Sequence, residues 1–397
     1  MCPRKYYLLL IGAMAFSMGA TFSGGSSRPQ GFRPDRHAVF LHEEFYFPFS
    51  KSSPWKTKIP PGTTYSDPQA GFSSLPLGIS SWGSAQTTGI ARAVTDDPLV
   101  PILYNADNNS KILSGEWKRS NNPPDVEAVI LAGASSQFGV LPGPGHFPCN
   151  FYSTQTPGKS WWQAGGCPDP SDYKALAQTA PLPKRAYVPV NFISGDGTDA
   201  LAAILQPDGT WLDCIHAIVL SNGQGIVCEM YSFVDGTSDG SAVENGRRAS
   251  MVPSFAGIVR GQEAAANNIR HALVMSGPNA LLRACFTKVA LAFDAQSSGY
   301  AGQSCMGERF AIPRSVTVTA LCENSLCVCD FAETCALAHA LQDYGVVLAD
   351  RGGAGLTIHT ETVAAMKQAG ASEKWLTPNP QVFSRMEILV RNLKIVS

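Results

Sequence analysis

Residues 186–234, AYVPVNFISGDGTDALAAILQPDGTWLDCIHAIVLSNGQGIVCEMYSFV, decide the fold. Four β-rich runs lie in this stretch, at 186–193, 199–207, 210–220 and 225–234. Three turn signals separate them: GDG at 195–197, PDG at 207–209 and NGQG at 222–225. Apolar runs of this length, punctuated by Gly, Pro, Asp and Asn, read as strands joined by tight turns. Alternation within the runs is imperfect, as expected when both faces of a strand are covered.

The same signal continues outward. KVALAFDA (288–295), RFAIPRSVTV (309–318), VVLAD (346–350) and GLTIHT (355–360) read as further strands. ETCALAHALQDYG (333–345) places Ala336, Leu337, Ala340 and Leu341 at helical spacing and ends at Gly345, suited to a helix C-cap. RMEILVRNLKIVS (385–397) reads as a short helix or a helix running into a strand. Upstream, HAVFLHEEFYFPF (37–49), LVPILYN (99–105) and VEAVILAG (126–133) are strand candidates, and residues 134–186 are rich in loops. The chain is expected to be mainly β: a jelly-roll-like β-sandwich with one or two peripheral helices, stapled by disulfides. Residues 1–25 read as a signal peptide. Residues 26–186 read as an N-terminal arm and loop-rich β region packed on the body. Residues 187–397 read as the sandwich body, with a helix near 332–345.

Composition narrows the function classes. Hydrophobic residues make up 44% of the 397, enough for a large core, and charged residues only 15%. The net charge of −1 gives no global field to attract nucleic acid or an anionic membrane. Arg4 and Lys5 precede the apolar stretch Leu8–Ala20, which is short for a bilayer span and of signal-peptide length. A secreted product without membrane insertion is expected. Of eleven cysteines, Cys2 would leave with the signal. The even remainder suits an oxidising compartment. Local pairs are expected between Cys149 and Cys167, Cys214 and Cys228, and Cys285 and Cys305. Cys322, Cys327, Cys329 and Cys335 crowd into one segment, where disulfides are favoured over a metal knuckle because paired CxxC spacing is lacking. Asn108 opens a glycosylation sequon.

FAGIVRGQEAAANNIRHALVM (255–275) holds the candidate chemistry. GQEAAANN reads as a helical turn or surface loop. IRHALVM reads as a strand with Ile269, His271 and Leu273 on one face. A histidine sharing a face with apolar residues is ordinarily a core residue, and Arg260 with Glu263 would fix the turn. The functional reading makes His271 a general base, Arg260 the neutraliser of an anionic substrate, and Glu263 and Asp350 the carboxylates. Trp161, Trp162, Tyr231 and Arg351 are candidate ligand contacts, with Trp82, Trp117 and Trp211 as further stacking surfaces. Asp196, Asp199, Asp235 and Asp239 sit in Gly-rich turns that could offer oxygens to calcium, but no D-x-D-x-D-G loop occurs. No P-loop or dinucleotide fingerprint is present. No cofactor and no resident metal are expected.

The blocks GIVRGQE, IRHAL, MGERFAIP (306–313) and ALQDYGVVLAD (340–350) occur in an order that resembles a family of secreted bacterial β-rich proteins, over residues 190–395. The resemblance implies a β-rich extracellular fold. The cysteine-rich insert at 322–335 departs from the family pattern. Together these readings favour a secreted protein that binds carbohydrate in a wall or matrix, its partner a polysaccharide or glycan. The alternative is a polysaccharide lyase or glycoside hydrolase using His271, Arg260 and a carboxylate. The two are separable: an enzyme needs His271, Arg260 and Asp350 together in an open groove, whereas a binder leaves them buried and tied to backbone.

Overall fold

The computed structural model describes residues 48–397, apart from 84–86, 104–184, 196–199, 216, 220–224, 229, 242–245, 288 and 294–298. All of these fall in one compact unit, residues 41–397. Among the described residues, eleven strands build the seven-stranded sheet and one of two four-stranded sheets. In chain order they are β1 (Tyr65–Ser66), β2 (Leu77–Ile79), β3 (Thr88–Arg92), β4 (Leu201–Leu205), β5 (Thr210–Ile215), β6 (Met230–Asp235), β7 (Leu273–Gly277), β8 (Arg309–Ala311), β9 (Val346–Arg351), β10 (Leu356–Ile358) and β11 (Lys394–Val396). Five α-helices accompany them: α1 (Gly261–Ala266), α2 (Ala332–Asp343), α3 (Val363–Gln368), α4 (Glu373–Leu376) and α5 (Pro380–Arg391).

The main sheet has the order β1-β11-β8-β9-β7-β10-β2, and the second β6-β5-β4-β3. Both are mixed. Strands β7 and β9 run parallel with Leu273 opposite Val346, β10 and β2 run parallel, and so do β3 and β4. The mainly β, disulfide-stapled expectation is met, but the jelly-roll form is corrected, since a jelly roll is built of antiparallel strands. Parallel neighbours need a crossover. For β7 and β9 the crossover contains α2, and Gly345, at φ 78°, turns the chain from that helix into β9. The helices are also more numerous than expected.

Alternation along the central pair shows why this sheet is internal. Leu273, Met275, Val346 and Leu348 face a core shared with Leu337 and Leu341 of α2 and Met386 and Leu389 of α5. Ala272, Val274, Val347 and Ala349 face a second core with Trp55, Phe255 and Trp211. The second sheet repeats the pattern. Ala203 and Trp211 join that second core, while Ala202, Ile204, Leu212 and Cys214 face a third. The third core is closed by the short strands Leu99–Leu103, Arg185–Tyr187, Ile218–Val219 and Ile226–Val227. Strands with two buried faces lose the apolar–polar alternation, which accounts for the imperfect period of residues 186–234.

Within the expected arm and loop-rich region 26–186, the described segments 65–66, 77–79 and 88–92 pair within these sheets. β1 pairs with β11, β2 with β10 and β3 with β4. Segment 289–293, expected within a strand, is not one. At the C-terminus the helix-to-strand reading holds. Asn379 Oδ1 accepts hydrogen bonds from the amides of Gln381 (2.9 Å) and Val382 (3.2 Å), and Pro380 occupies the first helical position of α5.

Among the described residues, four disulfides join Cys214 to Cys228, Cys285 to Cys305, Cys322 to Cys327 and Cys329 to Cys335. The crowded segment 322–335 is thus two short disulfide loops. Cys149, Cys167 and residues 1–25 lie outside the described residues. Cys214 and Cys228 are fully buried in the third core and close a loop with a sequence separation of 14. Replacing both by Ala should lower the unfolding free energy by about 3 kcal/mol through the freed denatured chain. Urea unfolding checks this: an unchanged midpoint would mean that the bridge contributes nothing.

Candidate functional site

Arg260, Glu263 and His271 do meet, and the backbone explains how. Val259 N–H donates to His359 O (3.0 Å) and Glu361 N–H donates to Val259 O (3.0 Å), so the chain entering α1 is clamped to the end of β10. Helix α1 then begins at Gly261. Glu263 Oε2 accepts from the Arg260 amide at 3.0 Å, which satisfies a donor that a helix N-terminus leaves open. The same oxygen lies 3.0 Å from His271 Nε2, and His271 Nδ1 lies 2.8 Å from Ala272 O. A carboxylate and a carbonyl only accept, so an imidazolium satisfies both contacts at once.

Burial alone would lower the His271 pKa. The Glu263 carboxylate, with the Ala272 carbonyl, outweighs that and holds the ring above its ordinary value of 6.5. A second carboxylate, Glu361, accepts from the Gly261 amide at 2.5 Å. Burial pushes its carboxyl up, against the pull of the Arg260 guanidinium. Arg260 is only 2% exposed and donates to Phe255 O at 3.1 Å. The cluster thus brings Arg260 and His271 against Glu263 and Glu361 in one buried set. Glu361 was not picked out from the sequence. Its signal was the polar run HTET (359–362) directly after an apolar strand.

Strand β7 starts at Leu273, so His271 precedes the strand rather than sharing a strand face with Ile269 and Leu273. Asp350 is elsewhere. It lies opposite Ser276 at the far end of β7, and its carboxylate is 3.7 Å from Arg248 Nη1. Tyr231 is packed in the third core, edge-on to Phe233 with ring centroids 6.0 Å apart, and burial raises its phenol pKa. Arg351 ends β9 and is half-buried. Trp211 is 1% exposed and stacks on Phe255 at 4.4 Å, and Trp82 is half-buried, donating to Lys374 O at 3.0 Å. Asp213 is fully buried: burial raises its pKa against the Arg247 charge and the hydrogen bonds it accepts from Ser254. Trp117, Trp161, Trp162, Asn108, Asp196 and Asp199 lie outside the described residues.

The carboxylates of Asp235 and Asp239 accept from their own turns, at Thr237 N (2.8 Å) and Ser241 N (2.8 Å). Cys329 Sγ, Cys335 Sγ and a His339 ring nitrogen lie within 4.8 Å of one another. Both sulfurs are spent in a disulfide, and a metal would need them as thiolates.

Two openings lie near the cluster. A cavity of about 20 Å³ between Trp55, Phe255, Gly257, Arg260 and His271 has room for about one water. Gly257 forms its wall at φ 68°, and a Cβ there would fall 2.5 Å from the Trp55 ring. The second opening is a cleft of about 910 Å³, which shares Pro48, Phe49 and Lys56 with the cavity. Ligand sites typically measure about 300–1,000 Å³, so the cleft has the size for a saccharide and the cavity does not.

Comparison of the chain with protein-family models, with curated proteins and with solved structures finds no match.

His271 and Glu361 both hold their protons more tightly in the folded state, so stability should fall as pH rises. The His271 contribution is complete below its unfolded value of 6.5 and is lost as pH passes through its raised folded value. The Glu361 contribution is complete below 4.5 and fades above it in the same sense. Melting followed from pH 5 to 9 should show this decline. His271→Ala should cost about 3–5 kcal/mol at pH 6, by leaving Glu263 buried and unpaired, and should flatten the curve above neutrality. A wild-type curve that climbs from pH 6 to 9 would contradict the assignment.

Proposed function

We propose that this is an extracellular polysaccharide-binding protein that holds its ligand without cleaving it. One observation carries the reading: Arg260 and His271 are buried and bonded to the backbone carbonyls of Phe255 and Ala272, while Asp350 sits apart with Arg248. A general base must come within hydrogen-bond reach of the proton it removes. The cavity beside His271 admits about one water, not a sugar ring. The 910 Å³ cleft, by contrast, is open and of ligand size.

The setting is supported more coarsely. Four disulfides suit an oxidising compartment, and among the described residues no helix is long and apolar enough to cross a membrane. The apolar stretch after Arg4 and Lys5 and the ordered sequence blocks of residues 190–395 favour secretion, with Asn108 as a glycan acceptor.

Disulfide-intact protein applied to a polysaccharide panel should be retained on at least one polymer and release neither reducing ends nor unsaturated sugars from it. His271→Gln, assayed below its melting temperature, should keep that retention within about threefold. Product release by the wild type that disappears in His271→Gln would replace binding with catalysis.

A further inference from the structure

We infer that the 910 Å³ cleft is a site for an anionic polysaccharide, one bearing carboxylate or sulfate groups. This rests on the polysaccharide-binding reading and specifies the ligand class. Lys51, Lys56, Arg92 and Arg270 line the cleft, and among the described residues that line it there is no Asp or Glu. Lys51, Arg92 and Arg270 are exposed and make no ion pair with any described residue. Lys56 is fixed, its ammonium donating to Phe49 O at 2.6 Å. Of the carboxylates beside lining residues in sequence, Asp97, Asp208 and Asp235 are engaged in their own turns, Asp97 Oδ2 accepting from Val94 N at 2.8 Å, while Asp96 is exposed beside Thr95. Asp208 Oδ1 accepts from Thr210 N (3.0 Å) and Oγ1 (2.7 Å), and Asp235 Oδ1 accepts from Thr237 N and Oγ1, both at 2.8 Å.

Concentrating four cations in one concavity is unexpected in a chain of net charge −1. A cleft lined by one sign of charge, with low-dielectric walls, focuses field into the space a ligand would occupy. Two of the four are arginines, whose planar forks match carboxylate or sulfate oxygens. The aromatic rings at the cleft argue against single-stranded nucleic acid. Phe49 and Trp211 are 6% and 1% exposed, so they offer no free face for base stacking, whereas a pyranose can be held by charge and hydrogen bonds alone. Thr237, also in the lining and exposed, brings a hydroxyl for sugar contacts.

The test is retention and titration of the disulfide-intact full chain on polygalacturonate, dextran sulfate, uncharged dextran and duplex DNA. Wild type should bind at least one of the two anionic glycans and should bind dextran at least tenfold more weakly. Raising salt from 50 to 500 mM should weaken binding severalfold, since exposed charges are screened over about a Debye length. Arg92→Glu/Arg270→Glu should weaken it about tenfold or more, because two of the four cationic contacts are reversed. The same reversal at Arg283 and Lys367, exposed and outside the cleft, should change it less than twofold. Melting should stay unchanged in both double variants. Equal binding of dextran, or indifference to the Arg92/Arg270 reversal, would overturn the inference and leave the polysaccharide reading standing. Duplex DNA bound as tightly as the anionic glycans would also overturn it. Failure to bind any polysaccharide of the wider panel would overturn both.

Discussion

Covering both faces of one pair of strands constrains this molecule most. Strands β7 and β9 are apolar on each side, so neither side can be left to water. Helices α2 and α5 close one face, and the second sheet, with Trp55 and Phe255, closes the other. Parallel pairing follows from the same demand, because the crossover that joins β7 to β9 brings α2 onto the face that needs it. Phe255 is central to the other closure. It stacks on Trp211 of the second sheet at 4.4 Å and on Phe49 at 5.3 Å, while its carbonyl accepts from Arg260. The residue that seals the core thereby also anchors the charged cluster beside it.

That cluster is a consequence of the closure. The chain entering α1 must pass between β7 and the end of β10, where its amides meet no water. Glu263 satisfies the amide of Arg260 and Glu361 that of Gly261. Two buried carboxylates then require positive charge, which Arg260 and His271 provide. Such a set is weak evidence for stability, because desolvating four charges cancels most of their attraction. What it fixes is geometry: it sets the register of α1 against the strand that follows. Residue types that would suggest acid–base catalysis in a groove here tie a turn to a core.

Legibility in the sequence followed range. Strands β4 to β6 could be read because their runs are bounded by PDG and similar turns, and α2 because its apolar spacing ends at Gly345. Glu263 and His271 could be linked because they fall in one short stretch, although the strand expected to carry His271 was too long by four residues at its start. Parallel pairing could not be read, since register between distant strands leaves no local trace. Glu361 escaped for the same reason: its partner amide, at Gly261, lies a hundred positions away. The cleft was least legible of all. Its cations come from positions 51, 56, 92 and 270, and no window of sequence holds more than two of them.

The two charged regions, close neighbours in space, differ in when their desolvation is met. In the buried cluster the cost of removing water is incurred during folding and offset there by internal partners. In the cleft, Lys51, Arg92 and Arg270 keep their hydration in the free protein, and their field remains available to an incoming anion. Side chains that lose water only on binding couple ligand affinity to salt, whereas side chains that lose it on folding couple stability to pH. One protein can therefore be sensitive to both variables through separate residues.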